Sequence, residues 1–85
     1  MHFHLPATVT QANAMLLERD GLSNLSTLEV IDCSALKDFD STVLAVLLAW
    51  QKRMQADGMT LKVEHPPEKL KVLASVYGVS GLLGI

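Results

Sequence analysis

Residues 38–51 read DFDSTVLAVLLAWQ: three small polar residues, Asp40, Ser41 and Thr42, run straight into eight apolar ones, Val43 to Trp50. Asp, Ser and Thr side chains accept hydrogen bonds from the unpaired N–H groups of a first helical turn, so the trio marks a helix start. Asp57-Gly58 supplies the stop, which predicts a helix to about Ala56. Leu44, Leu47 and Leu48, flanked by Val43, Trp50 and Met54, make the stripe expected to face a core. The opposite face carries Thr42, Ala45, Val46, Ala49 and Arg53, and before Arg53 it holds no charge. A helix at the surface of a small domain ordinarily has a polar back. This one lacks it.

On either side of that helix the pattern alternates. Upstream, Thr27 to Asp32 is the clearest strand, rich in β-branched and apolar residues, and a loop over Cys33 to Phe39 joins it to the helix. Downstream, Met59 to Glu64 sets Met59, Leu61 and Val63 against Thr60, Lys62 and Glu64, as a half-buried strand does. Near the start, Phe3 to Val9 reads as a short strand with Pro6 at an edge or bulge. Thr10 can cap a helix over Gln11 to Arg19, with Ala12, Met15 and Leu16 as its apolar positions and Asp20-Gly21 as its end. Pro66-Pro67 opens a last helix that buries Leu70, Leu73 and Tyr77 and stops at Gly78; the tail, Val79 to Ile85, is Gly-rich and apolar. Strands alternating with helices in so short a chain imply parallel neighbours joined by right-handed crossovers, an α/β layer fold.

Composition bounds the function. Eighty-five residues make one domain, and 49% hydrophobic against 19% charged residues is a globular balance. A formal net charge of −2, with no basic cluster beyond Lys52-Arg53, argues against nucleic acid as a partner. The longest apolar run is far below the roughly 20 residues that span a bilayer, and MHFHLPATVTQAN lacks the basic start and apolar stretch of a signal peptide. With a single cysteine, Cys33, these features predict a cytoplasmic protein.

Few residues suggest chemistry. His2 and His4 would share a strand face, but with His65 distant in sequence no metal site is expected. Cys33 has no nucleophile signature around it and reads as a small buried hydrophobe. There is no Gly-rich phosphate loop and no zinc-protease or serine-hydrolase motif, so no enzyme is expected. Ser41 stands apart, because a hydroxyl at that helix start would face solvent and a phosphate on it would meet the helix dipole. Alternatively, Ser41 or Asp40 simply caps the helix.

Asp32-Cys33-Ser34 at a strand end, a loop, then Asp40-Ser41-Thr42 followed by Leu44 and Leu47-Leu48 resembles the STAS domain family (sulfate transporter and anti-sigma antagonist), over nearly the whole chain from about Leu5. The resemblance implies a STAS-like α/β fold over residues 1–85, a small mixed or parallel sheet backed by helices, with a further strand ahead of the first one read here. In that family the hydroxyl residue after the Asp is the regulatory phosphorylation site, which makes Ser41 the candidate, with Thr42 beside it. Two features depart from the pattern: the family's early Gly-x-Leu-Asp stands here as Ala7-Thr8-Val9-Thr10, and the Gly of its helix-start motif is Val43. Leu47-Leu48-Ala49-Trp50 and Leu73 to Val79 are instead similar to the STAS subunit of the Mla-type phospholipid ABC transporter. That resemblance implies a non-catalytic bacterial subunit that binds the transporter ATPase and supports phospholipid movement between inner and outer membranes. The alternative is an anti-sigma factor antagonist switched at Ser41. Neither implies a cofactor, a metal, a small-molecule ligand, nucleic acid or direct membrane insertion.

The expected partner-binding surface is Asp40, Ser41, Thr42, Ala45, Val46, Ala49 and Arg53. Small side chains at Ala45 and Ala49 let a partner element come close, and Val46 adds apolar area. The other account of this face is that the tail from Val79 to Ile85 folds over it.

Overall fold

In chain order the computed structural model, which describes residues 2–23 and 30–85, contains β1 (His2–His4), β2 (Thr8–Val9), α1 (Ala14–Ser23), β3 (Val30–Asp32), β4 (Asp38–Phe39), α2 (Thr42–Ala56), β5 (Lys62–Glu64), α3 (Glu68–Val76) and α4 (Ser80–Leu83). The strand expected over Thr27 to Asp32 is seen as Val30–Asp32, its earlier part lying outside the described residues. Ile31, fully buried, sits at the centre of a three-stranded sheet of order β1-β3-β5. Both pairings are parallel, with Phe3 opposite Ile31 and Ile31 opposite Val63. The parallel α/β architecture read from the alternation is the one the chain adopts.

The expected first strand is two strands. Pro6 cannot donate to a ladder; Leu5 N–H still reaches Asp32 O at 3.0 Å, and the chain then leaves the sheet. It pairs again as β2, parallel to β4, with Val9 opposite Phe39. β4 lies in what reads as loop, and its pairing fixes the segment that leads into α2: Lys37 and Asp38 N–H groups both reach Ala7 O, at 2.8 and 2.9 Å.

α1 begins and ends later than the sequence suggests. Residues 10–13 form a turn first, in which Asn13 Oδ1 accepts Thr10 N–H at 2.9 Å. The helix then passes through Asp20-Gly21 to Ser23. Shifting the start reverses the faces: Ala14 and Leu17 pack toward the core and Gly21 is buried, whereas Ala12, Met15 and Leu16 are exposed. Gly21 is no stop signal. A Cβ there would lie 2.2 Å from the Trp50 ring, so glycine lets the two helices meet.

α2 is the spine of the molecule. Val43, Leu44, Leu47, Trp50 and Met54 are buried, together with Val46 and Gln51; Leu48 is half-buried. Its end is a Schellman turn, with Gly58 at φ 74° and the Met59 N–H on Met54 O at 2.8 Å. Gly78, at φ 71°, closes α3 the same way. α3 buries Leu70 and Ala74 and half-buries Leu73, but Tyr77, expected inside, is 59% exposed because the chain reverses at that point. The tail forms one helical turn, α4, whose Leu83 is buried. Gln51 joins these parts, donating to Leu82 O at 2.9 Å and accepting Leu61 N–H at 3.2 Å.

Candidate docking site at the start of the central helix

Asp40, and not Ser41, caps α2. Its Oδ1 accepts the Thr42 N–H at 2.9 Å and the Thr42 hydroxyl, and its Oδ2 accepts the Gln11 N–H at 3.3 Å. The Thr42 hydroxyl first, then the Thr42 and Gln11 backbone N–H groups, hold the Asp40 carboxyl below its ordinary value. Asp40 therefore ties three things together: the turn before α1, the end of β4 and the start of α2. Ser41 has helical backbone angles (φ −63°, ψ −14°), makes no side-chain capping bond and is exposed. Thr42 is half-buried behind it.

Further along α2 the face read as continuous is divided. Ala45 and Arg53 are exposed and Ala49 is half-buried, but Val46 is only 3% exposed. At about 100° per residue, Val46 and Trp50 turn toward α1. Trp50 donates its indole N–H to Glu18 O at 3.0 Å and meets Phe3 edge to face, with centroids 5.3 Å apart. So Val46, expected in the partner-binding surface, is covered by α1, and the alternative cover, the tail, is not what covers it. The tail lies elsewhere, against Leu48, Gln51 and Gln55. Arg53 pairs with Asp57 at 3.6 Å, one turn on.

Between α1 and α2 an open groove of about 240 Å³ remains, with Gln11, Ala14, Met15 and Glu18 on one side and Thr42, Ala45 and Val46 on the other. Of the expected surface, Thr42, Ala45 and Val46 line this groove, Asp40 is bonded to its lining residues Gln11 and Thr42, exposed Ser41 precedes Thr42 outside the lining, and Ala49 and Arg53 lie farther along α2. The α1 half was missed from the sequence. The signal was present: Ala14, Leu17, Glu18 and Gly21 follow the i, i+3, i+4, i+7 template, which leaves Met15, Leu16 and Leu22 as an exposed apolar set on the other face of α1.

The remaining reactive side chains lie at the carboxyl ends of the sheet strands. Asp32 stands between two imidazoles, His4 Nδ1 at 3.3 Å and His65 Nδ1 at 3.6 Å, and accepts the Ser34 N–H at 2.8 Å. Ser34, through its N–H and its hydroxyl, holds the Asp32 carboxyl below its ordinary value, and the two histidines add to this. The imidazoles flank one carboxylate, and no group of three ligands able to hold a metal ion occurs among the described residues. Cys33, next in line, is buried, and burial with the neighbouring Asp32 charge pushes its thiol up to about 12. A thiol so protonated is inert as a nucleophile. No helix among the described residues is long and apolar enough to cross a membrane.

Among curated proteins, none matches the chain. A family model described as "Mlab, STAS domain" matches residues 1–84, a span that takes in the parallel sheet, the Asp40 cap and the α2 groove alike. On that match the chain belongs to the STAS domain family.

Proposed function

We propose that this STAS domain is the non-catalytic accessory subunit of an Mla-type ABC transporter, working in the bacterial cytoplasm. In this reading it binds the transporter's ATPase and supports phospholipid transport between the inner and outer membranes. STAS domains are in general non-catalytic, with accessory or regulatory roles. The observation that carries the finer reading is the groove beside the α2 start, where exposed Ala45 adjoins buried Val46 and exposed Ser41 stands one residue before the lining Thr42. Small residues at a helix surface admit another backbone closely, and exposed apolar area of this kind marks interaction sites. The description of the matching family model, which names the Mla type, favours the transporter among STAS partners.

The test is co-purification with the ATPase. Ala45→Arg is expected to abolish it, because a long charged side chain would be stranded in an apolar contact, while leaving the melting curve of the isolated chain unchanged. Ser41→Asp is expected to weaken binding through the cost of desolvating a charge, and Ser41→Ala to change little. ATPase binding equal to wild type in both Ala45→Arg and Ser41→Asp would sink the reading.

One observation favours a second reading, an anti-sigma factor antagonist regulated at Ser41: its hydroxyl is exposed and takes no part in the cap. The neighbouring ionised Asp40 would repel a phosphate there. Mass spectrometry of the protein from growing cells decides it, since stoichiometric phosphate on Ser41 would favour the switch over the transporter.

A further inference from the structure

The groove between α1 and α2 has a chemistry that narrows what can fill it. At about 240 Å³ it falls below the roughly 300–1,000 Å³ of small-molecule pockets, and its size suits a single inserted side chain. Glu18 is the only charged residue lining it among the described residues. A second carboxylate, Asp40, stands at its mouth, bonded to the lining residues Gln11 and Thr42. Met15, 81% exposed, forms the outer lip and also borders a second hollow over α1 with Leu16, Glu18, Arg19 and Leu22. Arg19 lines that outer hollow beside Glu18 but does not line the α1–α2 groove. The Glu18 backbone is pinned by the Trp50 indole, so its carboxylate starts from a fixed point.

An apolar slot with a carboxylate in its wall and another at its mouth complements an apolar side chain flanked by a cation. We propose that the partner element is a basic amphipathic helix, which seats one apolar side chain between Met15 and Ala45 and sets a Lys or Arg beside Glu18 and Asp40. This rests on the docking reading above and adds to it the α1 half of the interface and the charge of the partner. Methionine suits the lip, since its flexible, polarisable side chain adapts to an incoming helix. Opposite charge at the rim mainly raises the association rate and gives a salt dependence.

The experiment is a binding titration of the intact chain with the purified ATPase at about 50 and 300 mM salt, with circular dichroism as the folding control. Wild-type affinity is expected to fall several-fold as salt rises. Met15→Glu should weaken binding at least tenfold, and Glu18→Lys should do the same and remove the salt dependence. Glu18→Gln should weaken binding only at low salt. If Ala45→Arg abolishes binding while Met15→Glu and Glu18→Lys bind as wild type, the docking reading survives and the basic-helix proposal is overturned. Tighter binding by Glu18→Lys, or salt-independent wild-type binding, overturns it too. If the wild-type chain does not bind the ATPase, or Ala45→Arg and Ser41→Asp both bind as well as wild type, the docking reading and this proposal fall together.

Discussion

Gly21 shows how one residue can invert a local reading. Asp20-Gly21 looks like a helix end because glycine is so common just past a C-cap. What decides its role is Trp50, far along the chain, whose ring leaves no room for a Cβ. Sequence order cannot carry that contact. Gly21→Ala should therefore destabilise the fold by about 1–3 kcal/mol through overpacking, against the ~1 kcal/mol by which alanine favours a helix interior. The check is a shift of the urea midpoint to lower concentration at an unchanged slope. Asp40 gives a prediction in pH. Its folded-state pKa lies below that of an ordinary aspartate, so its contribution is present above the unfolded value and is lost as pH falls through the folded one. Asp32 has the same sign. Asp40→Asn retains a capping oxygen but not the charge, so its acid unfolding curve should flatten below pH ~4 relative to wild type. Identical acid limbs would mean that the Asp40 charge does not matter to folding.

The central helix illustrates what periodicity reveals about an element and what it conceals. Its span and its core stripe at Val43, Leu44, Leu47, Trp50 and Met54 were legible, with Leu48, read in the same stripe, only half-buried, because a 3.6-residue period and a Gly stop are local facts. The lack of a polar back was legible too, but not its cause. Part of the apolar back is covered by α1 at Val46 and part is open at Ala45, because α1 packs against one side of that face and leaves a groove beside the other. Paired substitutions separate them. Val46→Arg buries an unpaired charge among Ala14 and the core and should prevent folding at 37 °C, whereas Ala45→Arg should shift stability by no more than about 0.5 kcal/mol. Leu47→Ala, fully inside, should cost roughly 2–5 kcal/mol through a cavity. Thermal melts of the three suffice. A folded Val46→Arg would mean that α1 is readily displaced and that the whole apolar back is available to a partner.

At the scale of the molecule, α1 and α4 hold opposite flanks of α2, and α3 reaches the helix layer against α4. The parallel sheet was legible, since each strand–helix alternation restricts the topology to right-handed crossovers. The division of labour between the flanks was not, because the α1 arm and the tail are both short and apolar. The structure gives the α1 flank the groove and the α4 flank a closing role. Gln51 sits buried between α2, the residue before β5 and the tail, and the Leu82 carbonyl is the acceptor for its amide. Removing residues 80–85 keeps the Val79 N–H that closes α3 on Ala74 O at 2.9 Å. It deletes the buried Leu83 and leaves the Gln51 amide without that acceptor. Burial of one leucine is worth about 1.5–3 kcal/mol and the hydrogen bond about 0.5–1.5, so with partly buried Ile85 also removed the truncated chain should lose at least about 2–4.5 kcal/mol of stability. Because the α1–α2 groove lies on the other flank, the truncated chain should bind the ATPase with wild-type affinity at a temperature where it is still folded. Loss of binding by a folded, truncated chain would place the tail in the interface and move the docking surface to the Leu48 and Gln55 side of α2.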